Sequence, residues 1–166
     1  EHKSVYTCGV NFNQKDVLDK SVRIVKTNRG GKITWHGPGQ IFCYFVLDIS
    51  KRKKDIRKFI TAIENSIIET LKDFKISSFS DRKNIGIWVL DKKEEKKIAA
   101  IGFRVKKWIA FHGFSLNLSN NLNSYKKIVP CGISNKGISK VENFKNISKN
   151  KIIDKLKKNL IKNLKY

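Results

Sequence analysis

The chain has 166 residues but no methionine, only two prolines, three cysteines, and 14 acidic residues against 36 Lys and Arg. Each scarcity excludes something. No apolar run approaches the roughly 18–20 residues that a membrane-spanning helix requires. The longest, Ile41 to Leu47, is strand-sized. No secretory leader is legible, and a sequence that opens at Glu1 without methionine leads us to expect residues ahead of it. Cys8, Cys43 and Cys131 stand in unrelated contexts, with no CxxC and no Cys/His spacing. That leaves neither a metal-site pattern nor a disulfide framework to read. Free thiols fit a reducing compartment, either a bacterial cytoplasm or the lumen of a plastid or mitochondrion.

The shortage of acid leaves a net charge of +22. Such a field attracts acidic partners and speeds their encounter. It is also what compositional drift toward Lys, Asn and Ile produces. Lysine is spread along the whole chain, and no compact basic stripe with interleaved aromatics marks a nucleic-acid interface. At 40% hydrophobic residues and this length, one globular domain with a sizeable core is expected.

Regular elements follow from periodicity. Val22–Lys26, Ile33–Trp35 and Gln40–Ile49 read as strands, the last buried. Ile56, Phe59, Ile60, Ile63, Ile67, Leu71 and Phe74 recur every three or four residues, so the spacing predicts a helix from Asp55 to Lys75. Ile85–Leu90 and Lys97–Val105 read as a hairpin turned through Asp91–Lys96. Phe111–Leu118 is a further strand, Asn120–Ser124 a polar turn, and Lys151–Tyr166 a second amphipathic helix. The class is α+β: a mostly antiparallel mixed sheet with helices packed on it.

Four segments stand out chemically. Arg29-Gly30-Gly31-Lys32-Ile33-Thr34-Trp35-His36-Gly37-Pro38-Gly39-Gln40 holds four glycines and a proline, more than a strand connection needs, so bare backbone can approach a ligand there. Cys131 sits between Pro130 and Gly132, which forbid regular structure, and lysines flank it in sequence; positive charge favours thiolate. It is either a nucleophile or a small core residue. Lys97 enters a strand of small and apolar residues, where partial desolvation would make it a proton carrier; otherwise it is one surface lysine among many. His36 and His112, each beside glycine, suit a general base or a substrate hydrogen bond as well as a structural one.

Taken together, RGGKITWHGPGQ at 29–40, KIAAIGFRV at 97–105, FHGFSLNL at 111–118 and IVPCGIS at 128–134 resemble the lipoate-biosynthesis octanoyltransferases. Glu1-His2 followed by Val5-Tyr6-Thr7 is similar to that family's N-terminal segment, although Lys3-Ser4 replace two prolines, Cys8 replaces a larger apolar residue, and the stretch from Gly9 to Arg29 is short. The resemblance implies a fold like the biotin and lipoate protein ligases. Residues 1–166 would form a single catalytic domain lacking the N-terminal part of the family fold. It implies transfer of an octanoyl group from acyl carrier protein to a lysine of lipoyl domains, those of 2-oxoacid dehydrogenase E2 subunits and the glycine cleavage H protein. Carried over residue by residue, Cys131 is the thioester nucleophile. Lys97 is the ammonium that favours its thiolate and moves protons. Arg29, Gly30, Gly31, Lys32, Ile33, Thr34, Trp35 and His36 would line the acyl site from the loop. Ala100, Ile101 and Gly102 would line it from one strand, and Gly113, Phe114 and Ser115 from another. No cofactor, metal, nucleic acid or membrane is implied. An ATP-dependent lipoate–protein ligase is the nearest alternative, which a thiol nucleophile argues against; a basic nucleic-acid-binding domain is the alternative of another class.

Overall fold

The computed structural model describes residues 1–52 and 54–165. In chain order the elements are β1 (Val5–Cys8), β2 (Ile24–Lys26), β3 (Ile33–His36), β4 (Gln40–Asp48), α1 (Ile56–Asp73), β5 (Phe79–Ser80), β6 (Ile87–Asp91), β7 (Glu94–Ile101), β8 (Arg104–Lys106), β9 (Ile109–Asn117), β10 (Gly137–Ile138) and α2 (Lys149–Asn163). They build two sheets. The smaller has the order β2-β1-β3, with β1 parallel to β2 and antiparallel to β3. The larger runs β4-β9-β7-β6-β5 with antiparallel neighbours, while β8 pairs with β9 and β10 lies parallel to β7. The expected mostly antiparallel mixed sheet is therefore split in two. The strand at Val5–Cys8, which organises the smaller sheet, carried no periodicity of its own.

α1 starts where Asp55 accepts a hydrogen bond from the Lys58 N–H at 2.9 Å, a side-chain cap for a helix that otherwise leaves its first amides open. Its stripe of Phe59, Ile63, Ile67 and Leu71 is fully buried against Ile87, Val89, Ile98 and Leu116 of the larger sheet and Ile152 and Leu156 of α2. A second, smaller core of Cys8, Ile33, Trp35, Tyr125 and Ile128 belongs to the smaller sheet. The described residues thus form two cores, and a cleft lined by residues of both lies where they meet.

Four details differ from the periodicity reading. β4 is not buried on both faces: Tyr44 and Val46 are 61% and 77% exposed, because alternate residues of an edge strand face away from the core. The hairpin turn is only Lys92–Lys93, both at positive φ (55° and 67°), so β7 begins at Glu94. Paired left-handed residues are what a two-residue turn between twisted strands demands. Finally, Lys97–Val105 breaks at Gly102–Phe103, and the polar turn after Asn120 becomes a 3-10 turn over Leu122–Lys127.

Candidate active site between the two sheets

The glycine loop reaches the larger sheet at the break in β7. Gly30 N–H donates to the Gly102 carbonyl at 3.1 Å, and Gly102 N–H donates to the Gly113 carbonyl at 2.9 Å. Glycine is required at Gly30 because a Cβ there would stand 2.5 Å from the Phe103 carbonyl oxygen. Three sequence-distant segments are thereby stitched into one wall. In front of it lies a cavity of about 760 Å³, within the range of small-molecule sites (about 300–1,000 Å³).

Cys131 also lines this cavity. It is half-buried and holds φ 58° and ψ 12°, a left-handed conformation uncommon for a residue with a Cβ. Pro130 before it and Gly132 after it (φ 67°) allow this turn, which packs on β3. The Lys32 side chain crosses Gly132: a Cβ at that glycine would fall onto its ammonium and within 2.9 Å of its Cε. Strained residues of this kind cluster where structure holds a reacting group.

Lys97, on β7, is 4% exposed. Its ammonium donates to the Ile85 carbonyl at 2.9 Å and lies 4.8 Å from the centre of the Trp88 ring. Gly86 (φ 137°) makes the space, since a Cβ there would meet Lys97 Cε at 3.1 Å and Nζ at 3.2 Å. No carboxylate pairs with this ammonium among the described residues.

Arg29 is pinned by neutral acceptors, with its guanidinium donating to the Thr7 carbonyl (2.8 Å), the Thr7 hydroxyl and the Gly30 carbonyl (2.9 Å). Burial pulls its pKa below the usual arginine value. His36 faces the same space. Burial, with help from the Arg29 charge, pushes its imidazole down to about 4, so it is neutral at neutral pH. His112, at φ 67°, bonds Asn28 Oδ1 at 2.6 Å and is also lowered, first by burial and then by Arg29 and Arg104. The lining includes four cationic side chains, Arg29, Lys32, Lys83 and Lys97, and no described Asp or Glu.

Of the residues expected at the site, Cys131, Lys97, Arg29, Gly30, Gly31, Lys32, Ile33, Thr34 and His36 line the cavity, as do Ala100, Ile101, Gly102, Gly113, Phe114 and Ser115. Trp35 is the exception. It is buried in the smaller core edge-on to Tyr125, and its indole N–H donates to Ser4 Oγ at 2.9 Å. A strand alternates its side chains, so Trp35 points away when Thr34 and His36 point in. The cavity also recruits His2, Phe42 and Tyr44, which the sequence did not single out. His2 bonds the Tyr44 hydroxyl at 2.6 Å and packs edge-on to Phe42 at 4.6 Å. The alternation of Phe42 and Tyr44 on one face of β4 was the available signal; His2 entered only as part of the N-terminal segment of the resemblance. Among the described residues, no three His, Cys, Asp or Glu side chains converge as a metal site, and no helix is long and apolar enough to cross a membrane.

Solved lipoate-protein ligases share this α+β fold. A lipoate-protein ligase A solved with ATP superposes with a TM-score of 0.75 over 98% of this chain and 70% of its own, at 14% identity. A bi-partite lipoate protein ligase from Thermoplasma acidophilum does so at 0.75, over 98% and 68%, at 12% identity. The family model described as lipoyl protein ligase A/B catalytic domain matches residues 1–164, and the chain belongs to that family. Among curated relatives, an octanoyltransferase of Bartonella bacilliformis is 46% identical over 149 residues, covering 84% of this chain and 62% of its own length. One of Wolbachia pipientis from Culex pipiens is 44% identical over 143 residues, covering 86% and 70%. The chain therefore spans about two thirds of the length of the relatives it matches.

Proposed function

We propose that this chain catalyses octanoyl transfer from acyl carrier protein to a lysine of a lipoyl domain, through a thioester on Cys131. One observation carries the reading: Cys131, in a strained turn, and Lys97, a buried ammonium without a carboxylate partner among the described residues, line the same cavity. The names of the relatives that match over most of the chain agree with it.

In the first half-reaction the Cys131 thiolate attacks the donor thioester carbonyl, a tetrahedral intermediate forms, the C–S bond to the carrier breaks, and the carrier sulfur leaves as a thiol with the proton of the Lys97 ammonium. In the second, the acceptor lysine amine attacks the Cys131 thioester. The amide bond forms, the C–S bond breaks, Lys97, left neutral by the first half-reaction, takes the proton lost by the amine, and Cys131 returns as the thiolate. Lys32, lying across Gly132, and Lys97 place two ammonium groups in the lining of the cavity that Cys131 also lines. Small side chains at Ala100 and Gly102 leave room for a medium acyl chain against Ile101 and Phe114. The activated donor supplies the free energy, so neither half-reaction calls for a nucleotide. Acyl carrier proteins are acidic, and the net charge of +22 suits their approach.

Intact mass after mixing with octanoyl acyl carrier protein tests the proposal. The expected result is one octanoyl group on the wild-type chain, removed by hydroxylamine and absent from Cys131→Ala. A folded wild-type chain that takes up no octanoyl group refutes it. A Cys131→Ala chain that acylates lipoyl domains with ATP and free octanoate would instead establish a ligase.

A further inference from the structure

Cys131 and Lys97 belong to different parts of the fold. Lys97 is built into the larger sheet, whereas Cys131 rides on residues 126–138, which pack on the smaller core through Ile128 and Ile138 and reach β7 of the larger sheet only at β10. Something must fix that segment against the sheet. Both of its ends converge on one buried side chain, Asn117, at the end of β9.

At the upstream end, Asn117 Oδ1 accepts from the Tyr125 hydroxyl at 3.3 Å and from Gln40 Nε2 at 2.8 Å. Gln40 Nε2 also donates to the Tyr125 oxygen at 2.7 Å, and Gln40 Oε1 accepts from Gly37 N–H at 3.1 Å. At the downstream end, Asn117 Nδ2 donates to the Ser139 carbonyl at 3.0 Å. Ser139 in turn donates its N–H to the Lys97 carbonyl at 2.9 Å and its hydroxyl to Asp91 at 2.7 Å. Gln40, Asn117, Tyr125 and Ser139 are all buried, so each bond is shielded from water and each lost partner would leave a costly unsatisfied group.

We propose that Asn117 is a positioning residue: it grips both ends of the segment carrying Cys131 and sets that cysteine's place against Lys97. It touches neither substrate nor sulfur. It works because an amide carries an acceptor and a donor on separate atoms that diverge from one carbon, so one side chain can hold two partners at once. The same residue ties in Gln40, the last of the glycine-loop segment, so the loop and the cysteine turn are held by one anchor. The catalytic consequence rests on the transfer reading above; the anchoring itself does not.

The test is Asn117→Asp, which keeps the shape and the acceptor but cannot donate to the Ser139 carbonyl. Tyr125→Phe, missing one hydroxyl at the other end, serves as the second variant. Amide hydrogen exchange is measured by mass spectrometry over the whole chain. Acylation by octanoyl acyl carrier protein is followed in single turnover at several donor concentrations. The expected result is at least tenfold faster exchange over residues 126–138 with α1 unchanged. The maximal acylation rate should fall tenfold or more, with half-saturation within twofold of wild type. Unchanged exchange over 126–138 in both variants overturns the proposal, as does an equal loss of protection in α1, which would mean general destabilisation. A wild-type chain that is never acylated refutes the transfer reading alone, and the exchange result then still decides the anchoring.

Discussion

Replacing Lys97 with methionine separates what its charge does from what its stem does. The stem is packed: Lys97 is 4% exposed, against Trp88 and the backbone of Gly86. Methionine retains an unbranched stem of similar length, so no cavity opens. The ammonium loses one hydrogen bond, to the Ile85 carbonyl at 2.9 Å, and a contact with the Trp88 ring at 4.8 Å. A hydrogen bond to a charged group stabilises by about 1.5–3 kcal/mol, and the ring adds about 1–2. Against this, the charge no longer has to be desolvated, a cost of several kcal/mol per buried ion. The two nearly cancel, and Lys97→Met should change stability by no more than about 1–2 kcal/mol, or roughly 2–8 °C in melting midpoint for a chain of this size. Lys97→Ala removes the stem as well and should cost about 2–5 kcal/mol. Activity should order differently. Both variants lose the proton carrier, and positioned acid–base groups contribute about 10²–10⁴-fold. Single-turnover transfer from octanoyl acyl carrier protein to a lipoyl domain should fall by that factor in both. Thermal melting and intact-mass kinetics on the same preparations are the assays. Wild-type transfer rates in Lys97→Met would refute the proposed role, whatever its stability.

Gly113 pairs with Tyr44 across β4 and β9, and a Cβ there would fall onto the Cys43 carbonyl, which is backbone and cannot rotate away. Gly113→Ala should therefore open the strand pair, lowering the melting midpoint and abolishing octanoyl uptake; a melting curve within 1 °C of wild type would contradict this, ~0.5 kcal/mol being the scale of an ordinary surface change. Phe59 is fully buried and meets Phe45 at 5.5 Å and Phe103 at 5.1 Å, both edge-on or tilted contacts in the main core. Phe59→Ala should cost about 3–5 kcal/mol in urea denaturation, and a loss below about 1 kcal/mol would show that the core there closes up. His36 is held at about 4, below its ordinary 6.5, chiefly by burial. Its contribution is fully present above pH 6.5 and is lost as pH falls toward 4, because the unfolded chain takes up the proton first; the full loss is about 3 kcal/mol. His36→Asn should lose less stability than wild type between pH 7 and pH 4.5, and equal losses would remove His36 as the source.

The elements were legible wherever one physical signal dominated. α1 announced itself because a 3.6-residue apolar stripe needs no partner to be recognised, and Asp55 marked its start. The glycine loop announced itself because Gly30 and its neighbours are conformational requirements written directly as residue types. The four chemical segments identified the family, and with it Cys131 and Lys97 as candidates. The tertiary structure decided what the sequence left open. Composition could not separate Lys97 from its 4%-exposed site to distinguish it from Lys96 beside it; strand alternation in β7, together with the space left by Gly86, buries one and leaves the other nearer the surface. Trp35 shares a segment with cavity residues, yet the pleat of β3 turns it into the smaller core. His2 and Tyr44 meet over 42 positions of sequence, and Asn117 holds Tyr125 and Ser139 through bonds that no local pattern encodes. Local chemistry follows from residue type, but distance between residues follows from chain path. That path is fixed only when the two cores pack together.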